Sequence, residues 1–107
     1  MLGYPAGTRA RFLERIAGVE PDENGCIIWP GPYQTQGKYG RMHRVGAHRI
    51  AWSIGNDGAP NPIGMEVDHL CRNTRCVNSE HLEVVTKAEN VRRANVARMQ
   101  AKNYVYY

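Results

Sequence analysis

The sequence predicts an α+β fold, and its C-terminal half supplies the main observations. Apolar and polar residues alternate over Met65–Leu70, which is the period of a strand, and Leu82–Val85 has the composition of a second short strand. Thr86 follows directly, and Glu89 three positions later completes a capping-box pattern. We therefore expect strand, long polar loop, strand and helix in that order, with the helix ending near residue 102.

A short helix is predicted near the N-terminus. Thr8 is expected to cap it, and the helix to extend to about residue 17. Phe12 and Ile16 lie about one turn apart and would share the buried face, while Gly18 is the expected stop.

An N-terminal β-hairpin is predicted next. Residues 26–29, Cys-Ile-Ile-Trp, favour a short strand that the following Pro-Gly-Pro ends. Residues 37–45 favour a second strand with a basic face, and we expect the two strands to pair. A helix is predicted over residues 47–54, where Ile50 and Ile54 share a face.

The chain organisation indicates one domain spanning residues 1–107, with the strand, strand and helix core at about 65–102. Residues 55–64 are rich in Gly, Pro, Asn and Asp and predict a loop, but no repeat, low-complexity tract or linker interrupts the chain. No apolar run approaches the roughly 18 residues of a membrane span, and no signal peptide is evident. We expect a soluble, intracellular, cytoplasmic protein without membrane contact.

The charge distribution points to a polyanionic partner. The formal net charge is +4, and 11 of the 14 basic residues are arginine, whose planar fork binds phosphate with paired hydrogen bonds. Residues 38–49 carry four basic side chains and no acid, and residues 87–102 carry five against Glu89 alone. Nucleic acid is the expected partner, and a merely solvated basic surface is the alternative.

The cysteine content favours a metal site over disulfides. The three cysteines, Cys26, Cys71 and Cys76, are an odd number, which argues against a closed disulfide framework. Clustered cysteines with histidines nearby are typical of structural zinc, which takes four ligands in a tetrahedron. The alternative is three buried free thiols.

Asp68 and His69 form the pair best suited to hydrolytic chemistry. An aspartate is a hard oxygen ligand for Mg²⁺ or Mn²⁺, and a histidine is tuned to take a proton from water near pH 7. Phosphodiester hydrolysis needs both functions, a base for the water and a cation for the charge that develops on the phosphate. The pair alone is a weak signal, so its context decides.

That context resembles the HNH nuclease family, particularly its small phage and homing-type members. The segment from Val67 to Asn90 carries the central motif, VDHLCRNTRCVNSEHLEVVTKAEN. The resemblance extends back through the segments GCIIW, KYGR and AHRIAW, and covers roughly residues 25–93.

The resemblance implies a ββα-metal (His-Me finger) fold and assigns catalytic roles. Read letter by letter, the family name points to His69, Asn78 and His81. In similar nucleases, however, an asparagine on the helix after the second strand is the metal ligand, which is Asn90 here. We therefore expect Asp68 and Asn90 to bind the catalytic Mg²⁺ or Mn²⁺ and His69 to be the general base, and leave open the role of His81 beside them.

A structural zinc site is expected next to this core. Cys26, Cys71 and Cys76 would supply three ligands. His81 is the preferred fourth, because Cys71, Cys76 and His81 are evenly spaced at intervals of five. His48 ranks second and His43 third, since the pair His48-Arg49 also occurs in zinc-free relatives.

The predicted function is metal-dependent DNA endonuclease activity, with nicking and double-strand cleavage both open. Arg49, Arg92 and Arg93 are the candidates for phosphate contacts, which position a protein without reading sequence. A non-catalytic, zinc-stabilised DNA-binding module and an interaction domain with a degenerate nuclease fold are the alternatives. A homodimer is left open, as is whether the tyrosines at 104, 106 and 107 pack on the body or on a second subunit.

Overall fold

A computed structural model of the chain describes residues 4–105, with side chains described as far as residue 100. The order of elements is helices and short strands first, then a strand pair followed by a long helix. These are α1 (Thr8–Ile16), β1 (Arg41–Met42), β2 (Val45–Gly46), α2 (Ala47–Gly55), β3 (Met65–His69), a 3₁₀ helix (Ser79–His81), β4 (Leu82–Thr86) and α3 (Lys87–Val105).

The C-terminal part has the predicted order of strand, loop, strand and helix. β3 and β4 are antiparallel, and Met65 pairs with Thr86 at one end and His69 with Leu82 at the other. Thr86 ends β4 and caps α3, because its Oγ1 accepts a hydrogen bond from the backbone N–H of Glu89 at 3.0 Å. The Glu89 carboxylate turns instead to arginines further along the helix.

The predicted N-terminal cap is wrong. Thr8 is the first residue of α1, and the N-cap is Gly7, whose φ of 88° places it in the left-handed region without a side-chain cap. Thr8 is buried, so its side chain packs inside the protein instead of capping the helix. Phe12 is buried as predicted, and its ring stacks on Trp29 with centroids 5.3 Å apart.

The predicted pairing of residues 26–29 with residues 37–45 is also wrong. Ile28 bridges Cys76 instead, and the backbone N–H of Trp29 donates to the carbonyl of Arg75 at 2.9 Å. This pairing lies between segments distant in sequence, and it buries Trp29 completely. A hairpin does form nearby, but it is the tight pair β1 and β2.

The core lies between α1, α2 and the β3–β4 pair. Helix α2 contributes Ala47, Ile50 and Ala51, all almost fully buried. Gly40 closes the core beside the indole of Trp29, since a Cβ at this position would lie 2.6 Å from the Trp29 Cδ1 atom. The buried cluster comprises Phe12, Trp29, Met42, Ala47, Ile50, Ala51, Val67, Val77 and Leu82.

Helix α3 packs on the strand pair and then extends beyond it. Its apolar residues Val91, Val96 and Met99 are exposed, in keeping with the weak apolar stripe of its sequence. No helix in residues 4–105 has the length and apolar character needed to cross a membrane. The C-terminal tyrosines 104, 106 and 107 fall outside the described side chains.

Candidate active site and metal centre

Three cysteines and one histidine converge beside the strand pair. One ligand atom from each of Cys26, Cys71, Cys76 and His81 lies within 4.8 Å of every other. Cys26 precedes the bridged segment, and the other three residues belong to the loop between β3 and β4. The structure therefore brings together the predicted set with the preferred fourth member, whereas His48 and His43 lie elsewhere.

The distances in this cluster suit a tetrahedral zinc ion. His81 Nδ1 lies 3.6 Å from the Cys26 sulfur and 3.5 Å from the Cys76 sulfur. Zn–S and Zn–N bonds of ordinary length at the tetrahedral angle would place N and S about 3.6 Å apart. Burial, followed by hydrogen bonds with Cys76 and Cys71, raises the pKa of the Cys26 thiol to about 12. A dication would offset this effect by stabilising the thiolates.

Asn78 ties the two sides of the cluster together. Its Nδ2 donates to the carbonyl of Gly25 at 2.8 Å, and its Oδ1 accepts from the backbone N–H of Glu80 at 3.0 Å. Its own backbone N–H lies 3.4 Å from the Cys76 sulfur, a contact that would stabilise a thiolate. Asn78 thus supports the cluster geometry.

The loop between β3 and β4, which carries Cys71, Cys76 and His81, also holds the side chain of His69. The residue is 4% exposed, and its Nε2 lies 3.1 Å from the backbone carbonyl of Cys76. A carbonyl oxygen only accepts hydrogen bonds, so Nε2 carries the proton of the neutral ring and Nδ1 keeps the lone pair. Burial lowers the pKa of His69, against the opposing effects of the Cys76 carbonyl and the Asp68 charge.

A groove of about 900 Å³ runs past His69 and carries the other candidate catalytic residues, Asp68 and Asn90. His48 lies on the wall of this groove, with its ring centroid 4.9 Å from that of His69 and 5.1 Å from that of Tyr39. This stack of rings limits the freedom of His69. His81 is absent from the groove lining, so the structure separates it from the other three candidate catalytic residues.

Asp68 is buried and engaged by two arginines. Its Oδ2 accepts from Arg93 at 3.1 Å and its Oδ1 from Arg72 at 3.4 Å, the latter a long and partly exposed contact. The Asp68 carboxylate is therefore held in the groove by one partner on the loop and one on α3.

Asn90 is the fourth residue of α3 and contacts strand β3, which also carries Asp68. Its Nδ2 donates to the Oε2 atom of Glu66 at 2.9 Å. Glu66 was not among the predicted site residues. The signal that could have found it is its spacing, since residues 66 and 68 of a strand face the same side.

The predicted phosphate-binding arginines differ in their surroundings. Arg49 lines the groove. Arg92 is exposed and paired with Glu89, while Arg93 is paired with three carboxylates and so is not free to contact phosphate in this conformation. The groove carries three further basic side chains that were not singled out, namely Lys38, Arg44 and Arg72.

Comparison with known proteins shows the family. The family model described as HNH endonuclease matches residues 45–92, which include Asp68, His69 and Asn90 but not Cys26. The chain is 30% identical over 89 residues to the uncharacterized gene 5.3 protein of Enterobacteria phage T3, with 73% of this chain and 85% of that protein covered.

Two proteins of Escherichia phage T7 are also similar. Identity to protein 7.7 is 36% over 69 residues, covering 61% of this chain and 51% of the T7 protein. Identity to protein 2.8 is 33% over 88 residues, covering 77% of this chain and 55% of the T7 protein, so the chain spans about half the length of both. No solved structure gives a significant match. Because residues 45–92 match the family model and the chain is similar to these phage proteins, it belongs to the HNH endonuclease family.

Proposed function

We propose that this protein is a metal-dependent DNA endonuclease that hydrolyses phosphodiester bonds with His69 as general base. The observation that carries the proposal is the hydrogen bond between His69 Nε2 and the Cys76 carbonyl. It supports a single tautomer of a buried histidine, with Nδ1 free to accept a proton, at the wall of a groove of about 900 Å³ that is also lined by basic side chains.

In this mechanism Nδ1 of His69 removes a proton from the water that attacks the scissile phosphate. The lowered pKa of His69 keeps the ring neutral at pH 7, so the lone pair is available. The rings of His48 and Tyr39 pack beside the base and support its orientation. A base that is already oriented loses little entropy at the moment of reaction.

Asp68 and Asn90 would hold the catalytic divalent ion. Both side chains line the groove, and a carboxylate and an amide oxygen are the hard ligands that Mg²⁺ and Mn²⁺ prefer. When bound, the ion supplies charge to stabilise the phosphate and the leaving 3′ oxygen. When no ion is bound, Arg93 and Arg72 pair with the Asp68 carboxylate and keep it in place.

The Cys26, Cys71, Cys76 and His81 cluster would hold a structural zinc ion, and β3, β4 and α3 would form a ββα-metal core. The position of the cluster supports a structural role for zinc, separate from catalysis, because its ligands fix the loop that carries the Cys76 carbonyl. Four protein ligands leave no open position for catalysis.

DNA would lie along the groove. Lys38, Arg44 and Arg49 are among its lining residues, and they would contact phosphates without reading bases. Since Arg93 is occupied by carboxylates, we assign it to the architecture of the site rather than to DNA contacts.

The test is cleavage of supercoiled plasmid by zinc-loaded protein. Reactions with added Mg²⁺ or Mn²⁺ are compared with reactions that lack the ion, because a strong chelator would also remove zinc. We expect nicked or linear product only with the ion. His69→Ala should lower the cleavage rate by roughly 10²–10⁴-fold while the protein still folds, which a native-like far-ultraviolet circular dichroism spectrum would show.

His43→Asn is the matched control. His43 lies exposed in the β1–β2 turn with a φ of 58°, a conformation that asparagine tolerates. The His43→Asn variant should cleave plasmid at the native rate. Full activity of His69→Ala would overturn the mechanism. A plasmid that is shifted on the gel but never cut would favour the non-catalytic DNA-binding module instead.

A further inference from the structure

We infer that Glu66 is a positioning residue for the catalytic ion, because it orients the carboxamide of Asn90 so that the amide oxygen is presented as a ligand. The inference rests on the proposed function, since it concerns an ion ligand of the same site. Glu66 lies outside the motif letters of the family and was not among the residues predicted from the sequence.

The chemistry of the contact fixes the orientation. Asn90 Nδ2 lies 2.9 Å from Glu66 Oε2, and an ionised carboxylate only accepts hydrogen bonds. The amide nitrogen must therefore be the end that faces Glu66, and Oδ1 is the end left for another partner. A free asparagine amide can turn over and bring its N–H₂ group toward the ion, where it cannot serve as a ligand. Glu66 removes that alternative.

The placement of Glu66 supports this role. Glu66 and Asp68 are two residues apart on β3 and share its face, while Asn90 and Arg93 lie about one turn apart on α3. The strand and helix are joined by two contacts side by side, Glu66 with Asn90 and Asp68 with Arg93. Both proposed ion ligands are thus held by a partner on the opposite element.

A second glutamate provides the comparison. Glu83 on β4 also joins the strand pair to α3, through its Oε1 atom and Arg93 at 2.6 Å. Its contact anchors the helix without touching Asn90. If Glu66 merely anchored α3, loss of Glu66 and loss of Glu83 would have similar effects.

The experiment measures Mn²⁺ affinity of the zinc-loaded protein by electron paramagnetic resonance, without DNA. Glu66→Ala should weaken Mn²⁺ binding by roughly 10–100-fold, the usual effect of losing an outer partner of a ligand. Glu66→Gln should keep most of the affinity, because its amide oxygen can accept the same hydrogen bond. Glu83→Ala should lose far less Mn²⁺ affinity than Glu66→Ala, because Arg93 keeps its contact with Asp68 and Asn90 keeps its contact with Glu66. Melting temperatures without Mn²⁺ report the anchoring effect separately.

The outcomes separate this inference from the proposed function. If the native protein binds no Mn²⁺, the proposed binding of a catalytic ion by Asp68 and Asn90 is refuted. If Asn90→Ala loses Mn²⁺ binding but Glu66→Ala keeps it, only the role of Glu66 is refuted. A Glu66→Gln variant as weak as Glu66→Ala would show that the charge of the carboxylate acts on the ion, which also contradicts a positioning role.

Discussion

His69 and Cys76 are joined by a hydrogen bond from the imidazole Nε2 to the backbone carbonyl, at 3.1 Å. The sulfur of the same cysteine lies in the Cys26, Cys71, Cys76 and His81 cluster. One residue thus contributes its side chain to the proposed zinc site and its backbone to the proposed base. The two sites are expected to respond together when either is disturbed.

Cys71→Ser should lower zinc content, melting temperature and cleavage rate in parallel. A tetrahedral zinc site that loses one thiolate binds weakly, and the loop from Cys71 to His81 then loses the ion that would hold it. Metal analysis, thermal melting and the plasmid assay measure the three effects. Leu70→Ala is the control, since the neighbouring Leu70 is half-exposed and should change little. An unchanged melting temperature in Cys71→Ser would argue against a structural metal.

The two asparagines at 78 and 90 should have opposite phenotypes. Asn78→Ala removes the hydrogen bond to Gly25 and should weaken zinc retention and thermal stability while Mn²⁺ affinity stays native. Asn90→Ala removes a proposed ligand and should abolish Mn²⁺ binding while zinc content stays native. Zinc release on titration with a chelator and Mn²⁺ binding measure the two effects. Equal effects of both variants on Mn²⁺ would contradict the assignment.

His48 should make the protein less stable in acid. The groups that face it are Tyr39, His69 and Arg49, and its pKa is lowered to about 3, first by burial and then by the charges of His69 and Arg49. Within residues 4–105 its buried Nδ1 has no hydrogen-bond partner. Between pH 6.5 and about 3 the unfolded chain binds a proton that the folded chain excludes. Stability is therefore full above pH 6.5 and falls as the pH drops through this window.

His48→Phe keeps an aromatic ring in the stack and removes the titration. The drop in melting temperature from pH 7.5 to about pH 5 should be smaller in this variant than in the native protein. Both are measured with the same zinc content, so that acid release of zinc affects them alike. The exposed His43→Asn variant should keep the native slope. Identical slopes for all three proteins would show that His48 is not the group responsible.

Arg93→Ala should lower the melting temperature more than Arg92→Ala. The Arg93 guanidinium joins Asp68, Glu83 and Glu89, which belong to β3, β4 and α3. Arg92 is exposed, and among the described side chains it pairs only with Glu89 of its own helix, where an ion pair contributes little. Thermal melting of both variants measures the difference. DNA affinity that falls strongly in Arg93→Ala without loss of stability would instead support the original phosphate-binding prediction.

The elements of the C-terminal part could be predicted because their signals are local. Strand alternation in β3 and the threonine cap of α3 depend on neighbouring residues, and both appear where predicted. The spacing of Cys71, Cys76 and His81 is also local, which is why these three members of the cluster could be anticipated.

The remaining features depend on contacts between distant segments. The pairing of residues 26–29 with residues 75–77 has no local signal in the sequence. Residues 37–45 were predicted as the partner strand because they are nearer in the chain. The side chains that engage Arg93 and Asn90 come from β3 and β4, whose position against α3 is set by packing. Thr8 carries the residue type of a cap but is buried, so tertiary packing overrode the local preference.

Cys26 lies far upstream of the segment that the family model covers, yet it belongs to the same cluster as the loop beside His69. During synthesis it emerges first and has no partner until residues 71–81 follow. Closing so long a loop costs more entropy than joining ligands five residues apart. We therefore expect Cys26 to be the last of the four residues to join the cluster, so that the loop beside His69 is fixed only after this long-range contact has formed.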